Sequence, residues 1–134
     1  MGMRRIAWLA GLGLLLGGCG SSTPTAPSSP PNVAGVWEMF QNGMDLKLAV
    51  TFQQSDGSLT ATFTVNSNGN QYASGTGSVT ASRVFTLHEV YPGGSSPGVD
   101  AICDYTGAVD NSASTISGRV SCNTGGASFD FRRK

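Results

Sequence analysis

Charge is scarce in this chain. Of its 134 residues 12% are Asp, Glu, Lys or Arg, and eight basic residues balance eight acidic ones. A formal net charge of zero removes the basic footprint that a nucleic-acid binder needs. Histidine is scarcer still, with His88 alone; a metal site would have to build on it with Asp or Glu, and neighbouring Arg83 and Glu89 offer no ligand spacing. No apolar run is long enough to span a bilayer: the longest, Ile6 to Leu16, would reach roughly 16 Å as a helix, about half a hydrocarbon core. After Pro31 no stretch keeps a 3.6-residue hydrophobic period, so almost no helix is expected. Glycine is plentiful, at 19 residues, within a composition that is 39% hydrophobic. That is too apolar for a disordered chain and too interrupted for a helical bundle. The length suits one domain.

Arg4 and Arg5, the short apolar run and the small residues after it have the layout of a secretory signal rather than a spanning helix. The run ends Leu16-Gly17-Gly18-Cys19, which resembles the lipobox of bacterial lipoproteins: an aliphatic residue, two small ones, then the lipidated cysteine. The resemblance implies cleavage of residues 1–18, a lipid anchor on Cys19, and cell-envelope residence. By the sorting rule of that family, Gly20 rather than Asp after the cysteine implies the outer membrane where the cell has one, facing the periplasm or the cell surface. Several acyl chains, at about 0.8 kcal/mol per buried methylene, would hold the protein on a bilayer. Without the leader the chain has six basic and eight acidic residues, a net charge of −2, so no polybasic patch would help it onto anionic lipid. Residues 19–31 continue as Cys19 followed by GSSTPTAPSSPP, whose four prolines among Ser and Thr read as an extended, solvated tether.

From residue 32 to residue 134 the period becomes two. Leu46, Leu48, Val50 and Phe52 alternate with Lys47, Ala49 and Thr51, and Leu59, Ala61, Phe63 and Val65 alternate with threonines. Weaker runs lie near 33–41, 71–79, 83–91, 98–108, 114–122 and 127–133, making eight strands. Asn42-Gly43 and Asp56-Gly57 suit tight hairpins, Asn66 to Asn70 a longer loop, and Pro92 to Gly98 the longest irregular connection. Short links without crossovers predict an all-β, eight-stranded antiparallel up-and-down barrel; a β-sandwich is the alternative. If Asp110 pairs with Thr115 around a four-residue loop, the same register sets Cys103 opposite Cys122. In an exported protein that pair is expected to form a disulfide, the alternative being two thiols or a redox pair.

Gly35-Val36-Trp37 at the head of the first strand, the eight-strand meander, and Arg132-Arg133 at the end of the last together resemble the calycin group, which includes lipocalins and lipocalin-like lipoprotein domains. In lipocalins the first-strand Trp closes the barrel floor and a last-strand Arg stacks across it. The resemblance implies that role for Trp37 and for Arg132 or Arg133. The domain is about a third shorter than typical lipocalins and has no helix before the last strand. A compact barrel with one disulfide also resembles the bacterial inhibitors of secreted metalloproteases.

Candidate chemistry is sparse. Asp100 and Asp104 would lie about 13 Å apart on one strand face, too far for a paired acid and base. No Gly-x-Ser-x-Gly elbow occurs. The chain is therefore expected not to be an enzyme, and to need no cofactor and no metal. Its interior would be built from Trp37, the alternating residues of the second and third runs, Tyr105, Ile116, Val120, Phe129 and Phe131. Such small barrels are often simply filled. A bound small apolar ligand would be lined by Trp37, Phe63 and Tyr105 and would call for a cavity above about 300 Å³, whose absence would argue against it. Gly75, Gly77 and Gly118 would either make space inside or mark sharp bends. The other expectations are an envelope-protein partner met by a loop such as Pro92–Gly98, a passive structural role, and a monomer.

Overall fold

The computed structural model describes residues 29–134; the leader, Cys19 and most of the tether lie outside them. Eight strands follow in order: β1 (Gly35–Gln41), β2 (Met44–Ser55), β3 (Ser58–Val65), β4 (Gln71–Val79), β5 (Val84–Ser96), β6 (Val99–Val109), β7 (Thr115–Cys122) and β8 (Gly125–Arg133). Each pairs antiparallel with the next, and β1 also pairs with β8, Trp37 opposite Arg133 and Gln41 opposite Phe129. The sheet is a closed barrel, so the sandwich alternative is removed; only the end of the β5–β6 hairpin, past Val90 and before Cys103, pairs with neither β4 nor β7.

The turns follow from residues that accept positive φ. Asn42 (48°) and Gly43 (78°) form the first hairpin, the pairing that matches strand twist. In the loop between β6 and β7, Asp110 accepts hydrogen bonds from Ser114 N (2.8 Å) and Thr115 N (3.1 Å). That loop sets Cys103 directly opposite Cys122, and the two sulfurs are bonded at 2.03 Å.

Alternation places one face of every strand inside. Phe52, Phe63, Phe85, Tyr105, Phe129 and Phe131 are all at most 2% exposed and touch ring to ring, with Phe129 and Phe131 at 4.8 Å and Tyr105 and Phe129 at 5.1 Å. Aromatic area of this kind dominates core energetics, and here it fills the middle of the barrel. Leu46, Leu48 and Val65, expected inside, are only half-buried because they sit near an open end; Met39, Phe85 and Leu87 take core places that their weaker runs did not reveal.

The glycines expected to make room or mark bends lie against backbone. A Cβ at Gly77 would lie 2.1 Å from Thr86 O, and one at Gly118 2.1 Å from Thr106 O; at Gly75 the nearest atom would be His88 O at 2.7 Å. They permit close strand approach in a tightly coiled small barrel rather than space for a ligand.

The two ends of the barrel differ. At one end the segment before β1 crosses the opening. Val33 is fully buried; its amide donates to Gln54 Oε1 (2.7 Å), and the Gln54 amide group donates to Pro31 O (3.0 Å). The Trp37 indole N–H donates to Val33 O at 2.9 Å. Arg133 closes this floor, its guanidinium 4.4 Å from the Trp37 ring centre and hydrogen-bonded to the carbonyls of Asn32, Ala34 and Ala113. Arg132 instead lies over Phe40 on the outer face. The opposite end carries the Asn42–Gly43 turn, the β3–β4 loop, the β5–β6 hairpin and the β7–β8 turn, and it stays open.

Candidate functional site

The open end holds a shallow, solvent-open cavity of about 270 Å³ above the aromatic core. Three local features shape it. On β2 the register shifts so that Leu46, Lys47 and Leu48 together face Met39 of β1. Lys47 sits at φ 56°, held by the Asp45 side chain, which accepts from the Lys47 amide (2.8 Å) and pairs with its Nζ (3.0 Å). These two hydrogen bonds hold the Asp45 carboxyl below the usual aspartate range. Leu46 and Leu48 are thereby left on the cavity wall.

On the far side, β5 and β6 run beyond the other strands. Pro92–Gly98, expected as an irregular connection, is instead mostly strand. Ser96 pairs with Val99 around a Pro97-Gly98 turn, and a bulge between Tyr91 and Ser96 absorbs Pro92, Gly93 and Gly94. Gly94 lies against Tyr91 so closely that a Cβ there would be 2.4 Å from the ring, so the bulge folds inward over the mouth. Asn123 of the β7–β8 turn fastens this hairpin, accepting from Ile102 N (3.0 Å) and donating to Asp100 O (2.9 Å). The Cys103–Cys122 bridge, two further cavity-lining residues, fastens it again.

Two tyrosines and a carboxyl complete the wall. The rings of Tyr72 (β4) and Tyr91 (β5) meet edge to face at 5.0 Å. Glu89, 5% exposed, is the only buried polar or charged residue among the described residues. Alternation on β5 forces it inward after Phe85 and Leu87. Its Oε1 accepts from the Tyr105 hydroxyl at 2.8 Å. Burial raises the Glu89 carboxyl above the usual glutamate range, against the opposing pull of that hydrogen bond. Burial, with Glu89 alongside, also raises the phenols of Tyr72 and Tyr105, so both stay protonated donors.

Of the three residues expected to line a ligand, Tyr105 borders this cavity; Trp37 lies in the closed floor, and Phe63 is fully buried in the core. Glu89 carried a signal that periodicity could have given: it continues the inward series of β5. His88, one residue away, points outward and pairs with Asp104 at 2.7 Å, both exposed; Asp100 accepts from Gly93 N in the hairpin. The cross-strand His88–Asp104 contact follows from the β5–β6 register.

Compared with protein-family models, with curated proteins and with solved structures, the chain matches none. The closed barrel is a lipocalin-like architecture, and that likeness concerns the fold alone.

Proposed function

We propose that this chain is a cell-envelope lipoprotein, anchored through Cys19, whose non-enzymatic barrel binds a small, mainly apolar molecule at its open end. The observation that carries the reading is the contrast between the two ends. One is plugged by Val33 and covered by Trp37 and Arg133; the other holds a cavity of about 270 Å³ walled by Met39, Leu46, Leu48, Tyr72 and Tyr91. Small-molecule sites of this kind combine apolar walls with few polar groups. At about 270 Å³ the opening falls short of the ~300 Å³ expected of a ligand cavity, which leaves room for no occupant larger than a single ring or a short chain. The lipobox-like Leu16-Gly17-Gly18-Cys19 supports the anchor, and Gly20 an outer-membrane address. The chain approaches β1 from the closed end, so a tethered barrel would turn its mouth away from the bilayer.

Native mass spectrometry of the protein purified from its own cell tests the binding role. Co-bound mass that disappears when Leu48 and Tyr91 are replaced by Ala and Trp, emptying one wall and blocking the other, supports it. A bare protein that also takes up no small aromatic probe in solution overturns it.

A second reading has its own observation. The β5–β6 hairpin projects past the rim with Val99 50% and Ile102 40% exposed, and Met44 across the mouth is 68% exposed. Apolar side chains gathered at a rim suit contact with another envelope protein. Replacing Val99 and Ile102 by Ser would abolish pull-down of such a partner while sparing a ligand seated in the cavity, which neither side chain lines.

A further inference from the structure

We propose that the mouth selects a small amine, its ammonium group seated on Glu89 Oε2 and its apolar body held between Leu46, Leu48, Tyr72 and Tyr91. This rests on the reading of the mouth as a ligand site and names the ligand class.

The geometry at Glu89 carries it. One carboxyl oxygen is occupied by the Tyr105 hydroxyl, which fixes the group in place. The other makes no hydrogen bond among the described residues, yet no fully buried side-chain oxygen there lacks a partner. Oε2 therefore opens on the cavity that Glu89 lines. Among the described residues no Lys, Arg or His lines that cavity. A carboxyl placed in an apolar mouth without a counter-charge is complementary to a cation that brings its own hydrogen-bond donors. The rings of Tyr72 and Tyr91 flank the same space and add attraction for a cation over their faces.

The groups facing Glu89 are the Tyr72 phenol from β4, Tyr91 from its own strand and the Tyr105 phenol from β6, with the Cys103–Cys122 bridge beside them. His88 and Asp104 pair on the outer surface. Because burial raises the Glu89 carboxyl, amine binding draws a proton from it and weakens as the pH falls.

The test is an NMR titration of the whole mature chain, carrying Cys19→Ser for solubility, with benzylamine and butylamine against benzyl alcohol at about pH 8 and about pH 5. The expected result is perturbation of Tyr72, Tyr91 and the Met39 methyl by the amines at millimolar concentration, with benzylamine bound at least about tenfold tighter than the alcohol at the higher pH. That preference should shrink at the lower pH and vanish in Glu89→Gln, whose retained spectral dispersion shows an intact barrel. Equal binding of amine and alcohol, or a preference that survives Glu89→Gln, overturns the amine assignment and leaves the mouth as an apolar site. Failure of all three probes to bind overturns the assignment and the ligand-site reading together.

Discussion

Arg133 stands directly opposite Trp37 across the β1–β8 seam, its guanidinium 4.4 Å from the indole centre. The contact joins the first and last strands at the point where the barrel closes. Three carbonyls, those of Asn32, Ala34 and Ala113, accept its N–H groups. The planar fork suits that task in a way a lysine ammonium does not. Arg133→Ala is expected to cost about 1–3 kcal/mol in chemical denaturation, from lost hydrogen bonds and ring contact. Arg132→Ala, which removes only a contact with Phe40 and a 3.5 Å pairing with Asp130, should cost less than about 0.5 kcal/mol. Equal losses for the two would remove Arg133 from its closing role.

The disulfide joins positions 19 residues apart. On chain-entropy grounds a loop of that size is worth about 3 kcal/mol. Cys103→Ser should lower the thermal midpoint under oxidising conditions, and reductant should bring the parent protein to the same value. The hairpin over the mouth should loosen first, read as faster amide exchange at Ile102, whose N–H is held by Asn123.

Glu89 makes stability fall with rising pH. Its carboxyl is raised by burial, so the folded state holds a proton that the unfolded state releases earlier. Below the usual glutamate range both states are protonated and nothing is lost; as pH rises through the folded value, the burial penalty of the charge is felt in full. Glu89→Gln should flatten that part of the profile and stabilise the barrel near neutrality, as thermal melts across the range would show.

Asp110 has the opposite sign. Backbone hydrogen bonds from Thr115 and Ser114 hold its carboxyl at about 2. Its contribution is complete above the unfolded aspartate value of about 3.9 and drains away as pH falls toward 2. Asp110→Asn should remove the acid sensitivity of the β6–β7 loop, measured by carboxyl NMR titration of the parent and acid melts of both.

Gly118 faces Gly107 across the β6–β7 pair. A Cβ at 118 would lie 2.1 Å from Thr106 O, so Gly118→Ala must push two strands apart, and about 1–3 kcal/mol of destabilisation is expected in urea unfolding. A neutral result would mean that β6 and β7 can separate at Gly118 at little cost.

The meander, its eight strands and the Cys103–Cys122 register were legible because period-two alternation and short turns are local signals. Closure between β1 and β8 is not local, yet the Trp37 and Arg132-Arg133 pair pointed at it; geometry alone separates the arginines, because Arg133 reaches the floor and Arg132 the outer face. The mouth was harder to foresee. Its shape depends on the bulge at Lys47, inside a run that alternates like a regular strand, and on the bulge after Tyr91, where glycine and proline read as loop although the backbone continues as strand. Glu89 was obscured by its neighbour His88, whose chemistry draws notice although it faces outward.

Where the chain joins the barrel has a mechanical consequence. Traction on the polypeptide upstream of Pro30 would be borne first by the Gln54 contacts with Pro31 and Val33, then by the grip of Arg133 on Asn32 and Ala34. That clasp would give way before any strand peeled. The opposite pole, braced by its own sulfur bridge, would keep its shape while the whole domain was dragged.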